Sequence, residues 1–347
     1  MNAPSAPGPA TGTAHASGPE QKRALSSRAC WPTVKRALTL VFFAAVAWLI
    51  VKHARDIEWS QVLSAVGRYA APTLWSAAAL ALASHALYAS YDVMGRRYAG
   101  HSLSASRVAQ VAFVSYAFNL NFGSLVGGFA FRFRLYSRLG LDTAEITRVL
   151  AFSLTTNWLG YLALGGALFL MHPPELPPDW KLDSAGLRWL GAVMVLCAAG
   201  YIALCALSRR RAFSVRGHEF ALPRLGAALL QLGLSSLNWA LIGGVVYVLL
   251  QRQIEYSTVL AVLLVGAVAG VVAHVPAGLG VLEAVFVALL SHRISQTQLL
   301  AVLLTYRGLY YLAPLAAAVP LYLTMEARAK RLAARAREAA DPPTVAD

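Results

Sequence analysis

The chain has 347 residues, of which 58% are hydrophobic and only 13% charged, and its net charge is +14. A soluble domain carries about 25% charged residues, so this composition excludes an ordinary soluble domain and points to a polytopic helical membrane protein. The basic residues lie between and after the apolar runs, with no nucleic-acid-binding pattern, so the excess fits cytoplasmic loops and anionic headgroups rather than nucleic acid.

Residues 1–34 are rich in Ala, Pro, Gly and Ser and lack an apolar core, which predicts a disordered cytoplasmic tail rather than a cleavable signal. The membrane domain is expected over 35–325. Its apolar runs are Ala37–Val51, Pro72–Ser90, Val108–Phe122, Val149–Met171, Leu187–Leu207, Leu225–Leu250, Val259–His274, Val281–Leu290 and Leu300–Met325. A span needs about 20 residues, so Val108–Phe122, Val259–His274 and Val281–Leu290 are short and read as arms of hairpins. A basic cytoplasmic tail, 326–347, closes the chain and reads as a helix on an anionic surface. Cys30, Cys197 and Cys205 have no metal-type spacing and read as small hydrophobic residues.

Charge sets the orientation. Residues 1–36, the segment Arg209–Arg224 and the C-terminal tail carry five Lys/Arg each, against two in 172–188 and one in 251–258. The first three are therefore expected in the cytoplasm. Counting crossings from that start leaves six full spans and two helical hairpins, 108–138 and 259–290, entering from opposite faces. The two units have matched spacing. Gly128 to Tyr161 is 33 residues and Gly280 to Tyr311 is 31; Arg132 to Asn157 is 25 and Glu283 to Arg307 is 24. Opposite entry with matched spacing predicts an inverted repeat, whose site lies near the midplane between the broken helices.

The first break is the most polar stretch at membrane depth. Asn119 and Asn121 flank it, as helix caps or as ligand contacts. Gly123, Gly127 and Gly128 let the chain turn, and a helix starting there points its N–H groups at an anion. Arg134 and Arg138, four apart, share a helix face and read as boundary residues that snorkel to headgroups. Arg132 is about 200° away from Arg134 around the helix. It either marks the same boundary or faces a cavity, where its guanidinium suits phosphate or carboxylate. In the second unit, Pro276, Gly278 and Gly280 form the break. Glu283 is the one acidic residue between Val259 and Met325, and an intramembrane carboxylate is a functional candidate by default. It has Arg307 or Arg132 as an ion-pair partner, or takes up a proton. The substrate-binding candidates are thus Asn119, Asn121, Gly127, Gly128, Arg132, Asn157, Pro276, Gly278, Gly280, Glu283, Arg307 and Tyr311. His274 reads as a packing residue.

The chain has no G-x-x-x-x-G-K-[ST] loop, G-x-S-x-G elbow or H-E-x-x-H pair, so no enzyme, metal site or cofactor is expected. The runs Phe118–Gly123, Val126–Gly128, Phe131–Gly140 and Thr156–Tyr161 resemble YbhN-type bacterial inner-membrane proteins. The run Pro276–Ala284 and Arg307 resemble the wider lysylphosphatidylglycerol synthase/flippase transmembrane family. That resemblance covers about residues 35–325. It implies a lipid-handling protein of the bacterial inner membrane, since the membrane domain in that family moves an aminoacylated phospholipid between leaflets. The expected function is a phospholipid transporter or flippase whose partners are membrane phospholipids with anionic headgroups. A second copy of the chain or a lipid-synthesis enzyme is the protein partner this reading allows. The alternatives are a transporter of a small polar solute or ion, and a non-transporting scaffold for envelope enzymes.

Overall fold

The computed structural model describes residues 59–177, 183–208, 212–215, 218–273, 275 and 278–340. The expected tail 1–34, the span Ala37–Val51, and His274 and Pro276 lie outside these residues. Eleven α-helices are described: α1 (Trp59–Gly67), α2 (Ala71–Ala99), α3 (Ala105–Phe122), α4 (Phe131–Arg138), α5 (Thr143–Met171), α6 (Ser184–Leu207), α7 (Leu225–Leu249), α8 (Tyr256–Ala273), α9 (Val281–Leu290), α10 (Gln296–Tyr306) and α11 (Ala313–Ala340). Two π-helical stretches, Ser124–Ala130 and Arg307–Leu312, join α3 to α4 and α10 to α11. The helical expectation holds with one addition. In the basic segment between α6 and α7, β1 (Ala212–Val215) and β2 (His218–Ala221) pair antiparallel, with Val215 opposite His218.

Local chemistry sets the boundaries. Helix α2 begins with Pro72 in its first turn, where the missing N–H costs nothing, and runs 29 residues to Gly100, a left-handed cap at φ 81°. It is nine residues longer at its C-terminal end than the apolar run Pro72–Ser90, and the one glycine in that extension, Gly95, is buried against Val149 and Phe152 rather than ending the helix. Helix α5 starts before its apolar run because Asp142 and Glu145 form a reciprocal capping box, with N–H···O distances of 2.7 and 3.0 Å. The expected separate tail helix is instead continuous with the last span, since α11 runs through Met325 without a break.

Among the described residues, five helical stretches are long and apolar enough to cross a membrane: Thr143–Met171, Ser184–Leu207, Leu225–Leu249, Tyr256–Ala273 and Gln296–Arg331. Helix α8 has 18 residues, about 27 Å at 1.5 Å per residue, slightly short of a hydrocarbon core of about 30 Å. It is partnered by α9, which folds back so that Leu282 and Val285 pack beside Gly266. In the first hairpin the returning chain lies on α3, with Phe131 stacked on Phe118 at 4.1 Å between centroids. Gly127 sits against the Phe118–Asn119 backbone so closely that a Cβ there would collide with main chain.

Three apolar clusters follow from this arrangement. One gathers around α7, α8, α9 and α10. A second joins α3, α4 and the start of α5 to α11 through Ala318. The third is small and aromatic, made of Tyr88, Tyr91 and Tyr116 on α2 and α3. Replacing Gly127 by Ala tests the close approach in the first hairpin. Overpacking against backbone costs about 1–3 kcal/mol, so a circular-dichroism melt of the variant in detergent is expected to fall below wild type. An unchanged midpoint would contradict the packing described.

Candidate functional site

The second break builds its site from backbone outwards. Gly278 and Gly280 adopt left-handed conformations, φ 56° and 78°, that ordinary residues avoid. Helix α9 starts at the next residue and carries Glu283 in its first turn, where a carboxylate meets the positive helix end. Arg307 opens the second π-helical stretch and reaches this break. Its Nη2 donates to Glu283 Oε2 at 3.1 Å and to the Gly278 carbonyl at 3.0 Å, while Nε donates to Glu283 Oε1. Of the two expected partners for Glu283, the structure selects Arg307. The guanidinium also lies 5.3 Å from the Tyr311 ring centroid, a cation–π contact. The ion pair thus satisfies a carbonyl that the broken helix would otherwise leave without a partner.

The first break carries a differently built pair. Arg132 is 5% exposed and faces inward, while Arg134 and Arg138 are exposed, as their helical spacing requires. Its partner is Asp92, on the C-terminal extension of α2 that the apolar pattern leaves out. Arg132 Nε lies 3.2 Å from Asp92 Oδ2, and the Tyr136 hydroxyl donates to the same oxygen at 2.9 Å. Arg132 Nη2 and Asp92 Oδ1 have no hydrogen-bond partner among the described residues.

Tyrosines connect the two pairs. The Arg132 guanidinium lies 5.6 Å from the Tyr88 ring centroid. Tyr88 stacks on Tyr116 at 3.6 Å, and the Tyr116 hydroxyl is 2.9 Å from that of Tyr310. Tyr310 meets Tyr311 edge-on at 5.9 Å, and Tyr311 lies under Arg307. The Tyr310 hydroxyl is also 2.7 Å from Ser84 Oγ, which donates to Asn238 Oδ1 at 2.7 Å. A tyrosine can bury its ring and still satisfy its hydroxyl, which is why this residue type fills a core that is both apolar and charged.

The remaining sequence candidates divide. Asn121 donates to the Ala117 and Tyr311 carbonyls, at 2.8 and 3.1 Å, so it caps α3 and ties the first break to the second π-helical stretch. The Asn119 side chain lies against Gly128, and its carbonyl accepts from Gly123 N–H. Gly127 supplies the close backbone approach. Asn157 lies on the α5–α7 seam, where its carbonyl accepts from Ser235 and Trp239. Its spacing matches that of Arg307, but it occupies no equivalent ion pair. Pro276 lies outside the described residues.

Sequence reading missed Asp92, His85, Tyr88, Tyr116, Tyr136 and Tyr310. The signal was present on α2, where Ser84, His85, Tyr88, Tyr91 and Asp92 recur at helical spacing. It also missed Glu326. This carboxylate takes Arg134 Nη2 at 2.9 Å and Nε at 3.4 Å, and Arg138 Nη2 at 3.4 Å. The two arginines read as free boundary residues are therefore clasped to α11.

This fold, a helical bundle with two broken hairpins and a charged, tyrosine-lined core, is that of a polytopic membrane protein. The model of the lysylphosphatidylglycerol synthase transmembrane region matches residues 36–318, and the chain belongs to that family. It is 43% identical to inner membrane protein YbhN of Escherichia coli over 306 residues, 88% of this chain and 96% of that one. It is 32% identical to the Synechocystis protein slr0712 over 263 residues, covering 75% and 81% of the two chains. Similarity to a phosphatidylglycerol lysyltransferase of Staphylococcus haemolyticus is 24% over 290 residues, 81% of this chain but a third (33%) of that one. The chain is a multi-pass protein of the bacterial inner membrane, related to phospholipid-modifying proteins.

Removing one partner of a buried ion pair leaves an uncompensated charge, at a cost of about 3–5 kcal/mol. The Glu283–Arg307 pair is only partly buried, so Glu283→Ala is expected to destabilise the purified protein by less than that, and Glu283→Ala with Arg307→Ala by less than the sum of the single changes. A double-mutant cycle by thermal unfolding measures the coupling, and additive single effects would contradict the pair.

Proposed function

We propose that the protein moves an anionic or aminoacylated phospholipid across the inner membrane. The observation that carries this reading is the asymmetry of the two buried pairs. Arg307 is held by both oxygens of Glu283 and by a backbone carbonyl, so it acts as a structural anchor of the second break. Arg132 keeps an N–H group at Nη2, and Asp92 keeps an oxygen at Oδ1, without hydrogen-bond partners among the described residues. A buried donor and acceptor left open cost stability unless something occupies them. A phosphate matches the guanidinium, and an ammonium matches the carboxylate. A headgroup carrying both charges, as an aminoacylated glycerophospholipid does, fits the two together. The likeness to a phosphatidylglycerol lysyltransferase supports a phosphatidylglycerol-type lipid.

The clasp of Arg134 and Arg138 by Glu326 serves as the gate of this pathway. It holds the returning arm of the first hairpin to α11, the helix that also continues from Arg307. In this reading the two broken hairpins rock about this core.

The test is flipping of a short-chain fluorescent phosphatidylglycerol in proteoliposomes. Arg132→Ala and Asp92→Asn are each expected to lower the rate by tenfold or more, as loss of a charge-assisted contact of about 1.5–3 kcal/mol implies. Arg132→Lys is expected to recover little, since ammonium lacks the planar fork. Wild-type rates in all three variants would refute the site. Competition by soluble anions but not by lipids would favour a small-solute transporter instead.

A further inference from the structure

His85 is an ionisable group at the centre of the core that the headgroup site does not use. It lies on α2, is 2% exposed, and is enclosed by the rings of Phe113, Tyr116 and Tyr310 at 6.1, 5.1 and 4.7 Å between centroids. Its Nδ1 is 2.9 Å from the Ala81 carbonyl. A carbonyl only accepts, so Nδ1 carries the hydrogen and Nε2 carries the lone pair in the neutral ring. Nε2 has no hydrogen-bond partner among the described residues.

The neighbouring hydroxyls cannot supply one. Ser84 donates to Asn238 Oδ1, so it must accept from Tyr310, and Tyr310 must then accept from Tyr116. Each hydroxyl has a single hydrogen, and the direction of the chain assigns all three. The imidazole is therefore left as a buried base with an open lone pair. An ionisable side chain at membrane depth is a functional candidate by default.

We propose that His85 is a proton-binding site that couples proton movement to headgroup movement; this rests on the transport reading above. Nε2 takes a proton from water on one side of the membrane and returns it to water on the other, so no other reactant is consumed. The imidazolium faces two tyrosine rings at cation–π distance. The groups around it are few. Helix α3 presents Phe113 and Tyr116, and the second π-helical stretch presents Tyr310, with Arg307 three residues before it. On α2 itself Tyr88 lies one turn on, and Asp92, paired with Arg132, lies two turns on, about 10 Å along the axis. A positive imidazolium in this core favours an anionic headgroup beside it, and by linkage the headgroup favours the proton. Proton and lipid phosphate then travel in the same direction.

The decisive measurement is nitrogen NMR of histidine-labelled full-length protein in nanodiscs, with the His85 signal assigned by its loss in His85→Gln or His85→Asn. The His85 signal is followed from about pH 4 to pH 8; it is expected to show reversible protonation, and short-chain phosphatidylglycerol is expected to move the transition to higher pH. A ring that stays neutral across this range, with and without the lipid, overturns the proposal. In proteoliposomes, a pH gradient of about one unit, a tenfold difference in proton activity, is expected to accelerate wild-type flipping severalfold. The response should vanish in His85→Gln. Flipping that ignores the gradient in wild type also overturns the coupling. If no lipid flips at all, the transport reading fails, while the titration still decides whether His85 binds a proton. If both histidine variants fail to fold, the titration is read on protein in which the other seven histidines are replaced by glutamine: a titrating resonance that responds to lipid supports the site, and its absence overturns it.

Discussion

A charge buried at membrane depth must bring its own partner, and this constraint organises the molecule. A carboxylate or guanidinium cannot face hydrocarbon without a large solvation cost. Both inward-facing arginines therefore meet carboxylates, Arg132 with Asp92 and Arg307 with Glu283. Each pair sits where a helix is interrupted. The interruption and the charge stabilise one another in the second hairpin, because Arg307 also takes the Gly278 carbonyl that the break exposes. Neither feature would be tolerated alone in an apolar bundle.

The space between the pairs is filled by a residue type that is apolar on its face and polar at its tip. Tyr88, Tyr116, Tyr310 and Tyr311 run from one guanidinium to the other through stacking, a hydroxyl contact and an edge-on contact. The core is thus apolar on its faces and polar at its hydroxyl tips. The two pairs are not equivalent, however. One is held by both carboxylate oxygens and a backbone carbonyl, and the other keeps a donor and an acceptor without hydrogen-bond partners among the described residues.

The clasp at Glu326 extends this division along α11. That helix leaves Arg307, passes the first hairpin through Ala318 and Tyr322, and ends its packing where Glu326 holds Arg134 and Arg138. From residue 307 to residue 326 is about 28 Å at helical rise, close to the hydrocarbon thickness. One continuous segment therefore links the two hairpins across the depth of the membrane.

Composition and apolar runs by themselves determined that this is a helical membrane protein, and glycines with flanking polar residues located both breaks, because hydrophobicity and backbone freedom are properties of short stretches. Helical spacing also separated Arg132 from Arg134 and Arg138, since a rotation of about 200° follows from geometry alone. Partnership was a different matter. Asp92 lies 40 residues before Arg132, and Glu326 lies 192 after Arg134; sequence spacing carries no record of which distant carboxylate a guanidinium meets. Spacing misled at Asn157, where a position matched to Arg307 packs on another seam. The tyrosine chain, the open lone pair of His85 and the choice of Arg307 for Glu283 were decided only when α2, α3, α4 and the second π-helical stretch were brought together, because those are contacts between elements.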